Sequence, residues 1–366
     1  MKLATAIIDR SSLCHNVKRV REIVPKSRFI AIVKANAYGH GLLETAVAIE
    51  NFVDCFGVAR ITEAIALREY GIKKPILLLE GFFDQSELLI IIKHKIDVVI
   101  HSIEQLRNME KLEIFKEYAI KNTVKVWMKL DTGMHRLGIR PEEGITFYNR
   151  LTRCRYIEKP INIISHFYQA DNPECPIATN QQLACFNSFI KDKPGEKSIA
   201  ASAGILFWPE SYFDWVRIGI IMYGSSPKKG KKGKDFGLLP AMTLKSNLIA
   251  IRKHYAGETV GYNGIWLSSY DTTLGVVAIG YGDGYPGNAP EGTPVLINGR
   301  RVPIVGKVSM DMILVDLGRN VSDKVGDEVI IWGNLLPVEE IASYVHLSNY
   351  ELLTKLTSRV KIEYLD

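Results

Sequence analysis

The 366-residue chain has no apolar run approaching the roughly 20 residues needed to span a bilayer. Its opening stretch, MKLATAIIDRSSL, has no apolar core of signal-peptide length. These two absences predict a cytoplasmic protein with no membrane partner. The five cysteines, Cys14, Cys55, Cys154, Cys175 and Cys185, are odd in number and form no C-x-x-C pair. A disulfide framework and a zinc centre are therefore not expected, no metal is called for, and a reducing compartment fits. Charge of one sign is also scarce, with 46 Lys+Arg against 40 Asp+Glu. Most of the excess of +6 lies in one short run, Lys228, Lys229, Lys231, Lys232 and Lys234. Lysine alternating with glycine between apolar segments reads as a solvated linker, so no nucleic-acid partner is expected. What remains is an ordinary globular composition, 47% hydrophobic and 23% charged, long enough for a large domain and a smaller one.

The first two-thirds of the chain alternates short apolar, β-branched runs with segments of helical spacing, the pattern of repeated βα units. Strands are expected at Phe29–Val33, Cys55–Ala59, Pro75–Leu79, Asp97–His101, Val124–Leu130, Ile161–Ser165, Ser198–Ala201 and Trp215–Ile218. Between them, helices are expected at Thr62–Tyr70, Gln85–Lys95, Ile103–Tyr118, Glu142–Arg153 and Ala178–Lys191. Eight strands alternating with helices predict a closed (β/α)8 TIM barrel over residues 11–226. After a lysine-rich linker at 227–236, closely spaced strands and turn signals predict a separate, mainly-β C-terminal domain over 237–366. It has one good helix candidate, Pro337–Tyr344, and an Asn298-Gly299 hairpin between Pro294–Ile297 and Val302–Val305. Residues 1–10 are strand-like and are expected to join that domain.

In a (β/α)8 barrel the reactive groups project from the C-terminal strand ends, and a phosphate site commonly follows strands seven and eight. Lys34 follows the first strand in Val33-Lys34-Ala35-Asn36-Ala37-Tyr38-Gly39-His40-Gly41. An isolated lysine there would more often snorkel to solvent, but one leaving an apolar strand is costly to bury charged, which suits it to Schiff-base chemistry. Strand five runs into Lys129-Leu130-Asp131-Thr132-Gly133-Met134-His135-Arg136-Leu137-Gly138, where Arg136 can hold a carboxylate in bidentate geometry. Strand six ends in Ser165-His166; such a histidine alone is more often a hydrogen-bonded core residue than a catalyst. Strands seven and eight end in Ala201-Ser202-Ala203-Gly204 and Val216-Arg217-Ile218-Gly219-Ile220, a hydroxyl and backbone N–H groups suited to a phosphate dianion.

The segment VKANAYGHG resembles the pyridoxal-phosphate-lysine signature of bacterial alanine racemases. KLDTGMHRLG, Val260-Gly261-Tyr262-Asn263-Gly264, Ile279-Gly280-Tyr281-Gly282-Asp283-Gly284-Tyr285-Pro286, Ile304-Val305-Gly306-Lys307-Val308-Ser309-Met310-Asp311 and Asn349-Tyr350-Glu351 extend the likeness to nearly the whole chain. The resemblance implies a pyridoxal 5'-phosphate enzyme that interconverts L- and D-alanine for wall synthesis or alanine catabolism. It implies that Lys34 links to the cofactor and serves the D-alanine face, while Tyr262 serves the L-alanine face. Tyr38, Ser202, Gly219, Ile220 and Tyr350 would contact the phosphate. Arg217 would face the pyridine nitrogen, where a permanent cation discourages ring protonation and so limits side reactions. His166 would bridge Arg217 and the catalytic tyrosine. Arg136 and Met310 would contact substrate, Lys129 would position Arg136 as a carbamate, and Asp171, Tyr281 and Asp311 would line or support the entrance. The resemblance further implies a homodimer with shared sites, Tyr262 and Met310 crossing into the partner's. Ala201, Gly287 and Lys307 depart from the family's frequent asparagine and arginines, which puts one cofactor contact and the channel's charge in question. A pyridoxal-phosphate decarboxylase of basic amino acids shares the two-domain plan, but the Tyr262 motif and Arg217 argue against it. A non-catalytic pyridoxal-phosphate carrier would be a single barrel, and the C-terminal domain argues against that.

Overall fold

A computed structural model describes residues 4–111, 123–319 and 321–366. The chain divides into two units, one of Asn16–Ala37 and Leu42–Met222, the other of Met1–His15, Tyr38–Gly41 and Tyr223–Asp366.

In the first unit eight parallel strands neighbour one another in chain order: Arg28–Ile32, Cys55–Val58, Ile76–Leu78, Asp97–Ile100, Val126–Lys129, Asn162–Ile164, Lys197–Ser198 and Trp215–Ile218. The last also pairs with the first, Phe29 opposite Val216 and Ile30 opposite Arg217. Arg217 N donates to Ala200 O at 3.0 Å, so strands seven and eight also meet and the sheet closes as a (β/α)8 barrel. Most strand residues are buried, because helices cover the outside and side chains fill the inside; this is why they read as unbroken apolar runs. The helices Ile61–Glu69, Glu87–His94, Pro141–Arg153 and Ile177–Ile190 lie where their spacing predicts. Ile103–Glu110 begins as expected; the stretch of that expected helix beyond residue 111 lies outside the described residues. The predicted strand Ser198–Ala201 is shorter, because Ala201 already leads into the helix Ser202–Phe207. The helix Leu42–Ile49 was not foreseen, nor was Arg10–Ile23, which starts in the other unit and has a mostly polar sequence.

In the second unit the long strand Met242–His254 organises the sheet. Its first half pairs antiparallel with Glu328–Trp332, its second half with Thr272–Val277, and the register shifts between Leu248 and Ala250. Thr272–Val277, Ile313–Gly318, Arg300–Val305, Pro294–Ile297 and Glu328–Trp332 follow around the sheet and return to the long strand, which closes it. The Asn298-Gly299 turn has φ of 49° and 77°, the positive pair that a tight hairpin requires. Thr5–Asp9 lies between Met242–His254, antiparallel, and Lys361–Leu365, parallel. The lysine-rich segment, read above as a linker, is anchored: Ser226 N and Gly233 N both donate to Glu339 Oε1, at 2.9 and 2.8 Å, and Lys232 pairs with Glu340 at 3.3 Å. A second helix, Asn349–Thr354, follows Val338–Val345.

Candidate active site

Lys34 is half-buried, two residues beyond the strand Arg28–Ile32. Directly after it the backbone turns left-handed: Ala35, Asn36 and Ala37 have φ/ψ of 52/54, 53/45 and 52/50°, and Tyr38 has φ of 52°. Cβ–carbonyl crowding makes this cost roughly 1–2 kcal/mol per L-residue. Three contacts hold the turn in the barrel unit. Ala37 N donates to Val33 O at 2.8 Å, Ala35 N to Glu63 Oε1 at 2.7 Å, and Leu42 N to Asn36 Oδ1 at 2.9 Å.

Arg217 is buried in the last strand. Its guanidinium donates to Ser198 Oγ at 2.8 Å, to the carbonyls of Ser165 at 2.7 Å and Ile199 at 3.0 Å, and reaches His166 Nδ1 at 3.0 Å. Desolvation lowers its pKa to about 10, so it remains a cation at neutral pH. Burial, then the positive charges of Arg217, Lys129, Arg136 and Lys34, holds His166 well below the usual imidazole range. A guanidinium can only donate, so neutral His166 accepts at Nδ1 and carries its proton on Nε2. Lys129, the last residue of its strand, is pushed down to about 7 by desolvation and by Arg217, Arg136 and Lys34, with Asp131 opposing. Asp131 is itself kept ionised: burial raises it, but hydrogen bonds from the backbone N–H and ring of His135 and from Gly133 N outweigh that. Arg136 is exposed in the loop that follows. At the same C-terminal ends of strands seven and eight, Ser202 Oγ accepts from Gly219 N at 3.2 Å, which leaves its own proton for a ligand; buried Ile220 follows. Asp171 is exposed on this unit.

Lys34, Lys129, Arg136 and Arg217 thus form a neighbourhood of positive charge around a neutral imidazole, with Asp131 the opposing charge felt by Lys129. Such a set suits a ligand carrying several negative charges. A phosphate, a phenolate and a carboxylate all meet that requirement, so the residues fit pyridoxal phosphate with an amino acid.

On the β unit, the Tyr38 ring stacks on Tyr223 at 4.9 Å and tilts against Tyr350 at 5.8 Å. Burial pushes the Tyr38 phenol up to about 12, so it stays a protonated donor. Gly39 has φ of 81°, and a Cβ there would lie 2.2 Å from Leu353 O, so only glycine lets this segment approach the helix bearing Tyr350. Tyr262 opens a short turn after Thr259–Val260 and is 67% exposed. Beneath that turn Val260, Trp266, Leu274 and Val305 form a small apolar cluster. Tyr281 and Met310 are also exposed, and their loops are locked together: Tyr281 N donates to Ser309 O at 3.1 Å and Gly282 N to Met310 O at 2.8 Å. Asp311 accepts from Arg359 at 2.8 Å, whose Nε also lies 3.2 Å from Asp283.

Four residues of the barrel unit escape sequence reasoning: Ser198, Ser165, Gln182 and Glu63. Gln182 is buried; its Nε2 donates to His166 O at 3.0 Å and Thr132 Oγ1 at 3.1 Å, and its Oε1 accepts from Tyr168 N at 3.1 Å. The partners that matter, the Arg217 guanidinium, the Thr132 hydroxyl, His166 O and Ala35 N, are remote in the chain and leave no local pattern.

Two family models match the chain, the alanine racemase N-terminal domain over residues 8–227 and the alanine racemase C-terminal domain over residues 241–364. The chain is 58% identical to the alanine racemase of Yersinia pestis, covering 100% of this chain and 99% of the relative. It is also 58% identical to the biosynthetic alanine racemase of Escherichia coli K12, covering 100% of each. Among solved structures, biosynthetic alanine racemase from Pseudomonas aeruginosa matches with TM-score 0.94 and 39% identity over 100% of both chains. Alanine racemase from Bartonella henselae, with covalently bound pyridoxal phosphate, matches with TM-score 0.89 and 30% identity over 100% of both.

Proposed function

Because the chain belongs to the alanine racemase family, we propose that it interconverts L- and D-alanine by two-base proton transfer, with Lys34 and Tyr262 as the proton carriers. It is a pyridoxal-phosphate enzyme, and the biosynthetic role named for its Escherichia coli relative supports a supply of D-alanine for peptidoglycan. The observation that carries the reaction type is the Arg217–His166 pair. Arg217 is a fixed, buried cation that four contacts prevent from turning away; facing the cofactor ring, it would disfavour the ring protonation that a carboxylate in its place would stabilise.

When bound, pyridoxal phosphate supplies the electron sink that makes the substrate Cα–H acidic. The chain's own groups do the rest. Arg136 binds the alanine carboxylate. Ser202 Oγ, the N–H groups of Gly219 and Ile220, and the phenols of Tyr38 and Tyr350 hold the phosphate. The Lys34 amine carries the proton on the D-alanine face and the Tyr262 phenol carries it on the L-alanine face. His166, neutral with its proton on Nε2, donates toward the catalytic tyrosine and so ties it to Arg217. Lys129, close to half neutral at pH 7, adds carbon dioxide to give a carbamate and a released proton; the resulting anion positions Arg136. Asp171, Tyr281, Met310 and Asp311 shape the entrance.

Tyr262 and Met310 face solvent on a surface that also exposes Ile265 and Leu267, which supports a homodimer in which each chain completes its partner's site. Among the described residues no helix is long and apolar enough to cross a membrane. An odd number of cysteines with no C-x-x-C pair supports a cytoplasmic enzyme.

The test is chiral analysis of alanine after incubation of each enantiomer with wild-type protein and Tyr262→Phe. The wild type should racemise both, and the variant should lose activity on both by a thousandfold or so while melting at the same temperature. Full activity of Tyr262→Phe in either direction would overturn the two-base assignment.

A further inference from the structure

We infer that Glu63, in the helix Ile61–Glu69 that follows the second barrel strand, is a positioning residue for Lys34. This rests on the reading of Lys34 as the base on the D-alanine face. The Glu63 carboxylate accepts three backbone N–H groups: Ala35 N on Oε1 at 2.7 Å, and Ala59 N and Arg60 N on Oε2 at 2.9 and 3.0 Å. The two contacts on Oε2 lie at the start of its own helix and would stabilise that helix in any protein. The contact on Oε1 crosses to the neighbouring strand end and grips the residue next to Lys34.

That residue begins the left-handed run. With several consecutive L-residues in a conformation each disfavours, the turn persists only while something over-determines it. Upstream of the run, Lys34 joins the barrel strand; one residue downstream, Ala35 is fixed by Glu63, and at the far end Asn36 Oδ1 holds Leu42 N. Without the acceptor, the Ala35 N–H loses its partner and the peptide plane between Lys34 and Ala35 is free to rotate toward the ordinary right-handed region. Rotation there swings the base of the Lys34 side chain. A proton carrier must sit within hydrogen-bond reach of Cα, so a displacement of about an ångström costs on the order of a hundredfold in rate.

The chemistry requires a carboxylate. Glutamine has one acceptor oxygen, so it can keep Ala35 or the Ala59–Arg60 pair but not both, and its NH2 would confront an N–H. Aspartate is one methylene shorter and cannot span both loops.

Glu63→Gln and Glu63→Ala, loaded with pyridoxal phosphate, are compared with wild type and with Ser102→Ala. Ser102 caps another helix of the same barrel, accepting from Gln105 N at 3.3 Å, so its loss weakens a helix start without touching the lysine turn. Four readouts are taken: amide hydrogen exchange of the peptide covering residues 33–42, the absorbance maximum of the Lys34-linked cofactor, steady-state constants in both directions, and the Cα-deuterium isotope effect on each enantiomer. For Glu63→Ala, exchange in 33–42 should quicken tenfold or more and kcat from D-alanine should fall by roughly tenfold to a hundredfold. KM should change less than about threefold, because Arg136 binds the carboxylate. The isotope effect should rise with D-alanine, whose proton Lys34 removes, and not with L-alanine. Glu63→Gln should fall between, and Ser102→Ala should match wild type. Wild-type exchange in 33–42 together with unchanged isotope effects in both Glu63 variants would overturn the inference. Failure of borohydride to label Lys34 in the wild type would instead overturn the assignment of the base, whatever the Glu63 variants do.

Discussion

Asp97 opens the fourth barrel strand, at the end opposite the site residues, and it should make the protein less stable as pH rises through neutrality. Burial pushes its carboxyl from the ordinary 3.8 up to about 7; Lys125 and Arg68 oppose the shift, and Glu158 and Glu196 add to it. The folded state therefore binds a proton that the unfolded state has released throughout the window between those two values. Stability contributed by the protonated form is complete below about pH 4 and is lost as pH climbs to about 7, at up to 1.4 kcal/mol per unit and about 4 kcal/mol in all. Asparagine keeps the shape and cannot ionise. Asp97→Asn should leave the denaturant midpoint unchanged near pH 4 and raise it progressively to pH 8, with unaltered kcat because the chemistry lies at the other end of the strands. Guanidinium titrations of the loaded enzyme at constant protein concentration, at unit pH intervals, would show the two curves diverging. Parallel curves from pH 4 to 8, or a variant that is less stable at pH 8, would refute the reasoning.

Gly280→Ala should destabilise by more than the usual 1–3 kcal/mol of overpacking and raise KM for alanine, because its Cβ would lie 2.3 and 2.4 Å from the carbonyl oxygens of Ser309 and Met310; thermal melts and steady-state kinetics check this. Gln182→Leu removes partners from His166 O, Tyr168 N and Thr132 Oγ1, so it should cost about 1–3 kcal/mol and lower kcat more than it raises KM. With labelled bicarbonate, a carbamate carbon resonance should appear as pH rises from 6 to 8, in step with the neutral fraction of Lys129, and vanish in Lys129→Arg; its absence from the wild type would remove the carbamate.

The barrel was legible because its strands are buried on both faces. The apolar, β-branched run at Trp215–Ile218 has the same bounds in sequence and structure, and most others differ by a residue or two at the ends, where the ladder yields to a loop. Asn298-Gly299 was legible because few other dipeptides tolerate two positive φ angles. The site residues entered through motifs, and for those of the barrel the structure adds what motifs leave out: the tautomer of His166, the immobility of Arg217, the charge around Lys129. The left-handed turn after Lys34 could not be read, since of its four residues only Asn36 favours positive φ, and a single asparagine does not announce a run. Nor could Glu63 and Gln182, ordinary polar residues in helical segments until their backbone partners are known. Asn349–Thr354 escaped because six residues are too few for a periodic signal.

The strand Thr5–Asp9 has one neighbour from the middle of the chain and another from its last residues. During synthesis this early strand must wait, both edges open, while the whole barrel emerges from the ribosome; Met242–His254 then covers one edge, and the second neighbour arrives only with Lys361–Leu365. An unpaired edge kept in waiting that long invites association with other nascent chains. Translation speed over the last third of the message therefore bears directly on the yield of native enzyme.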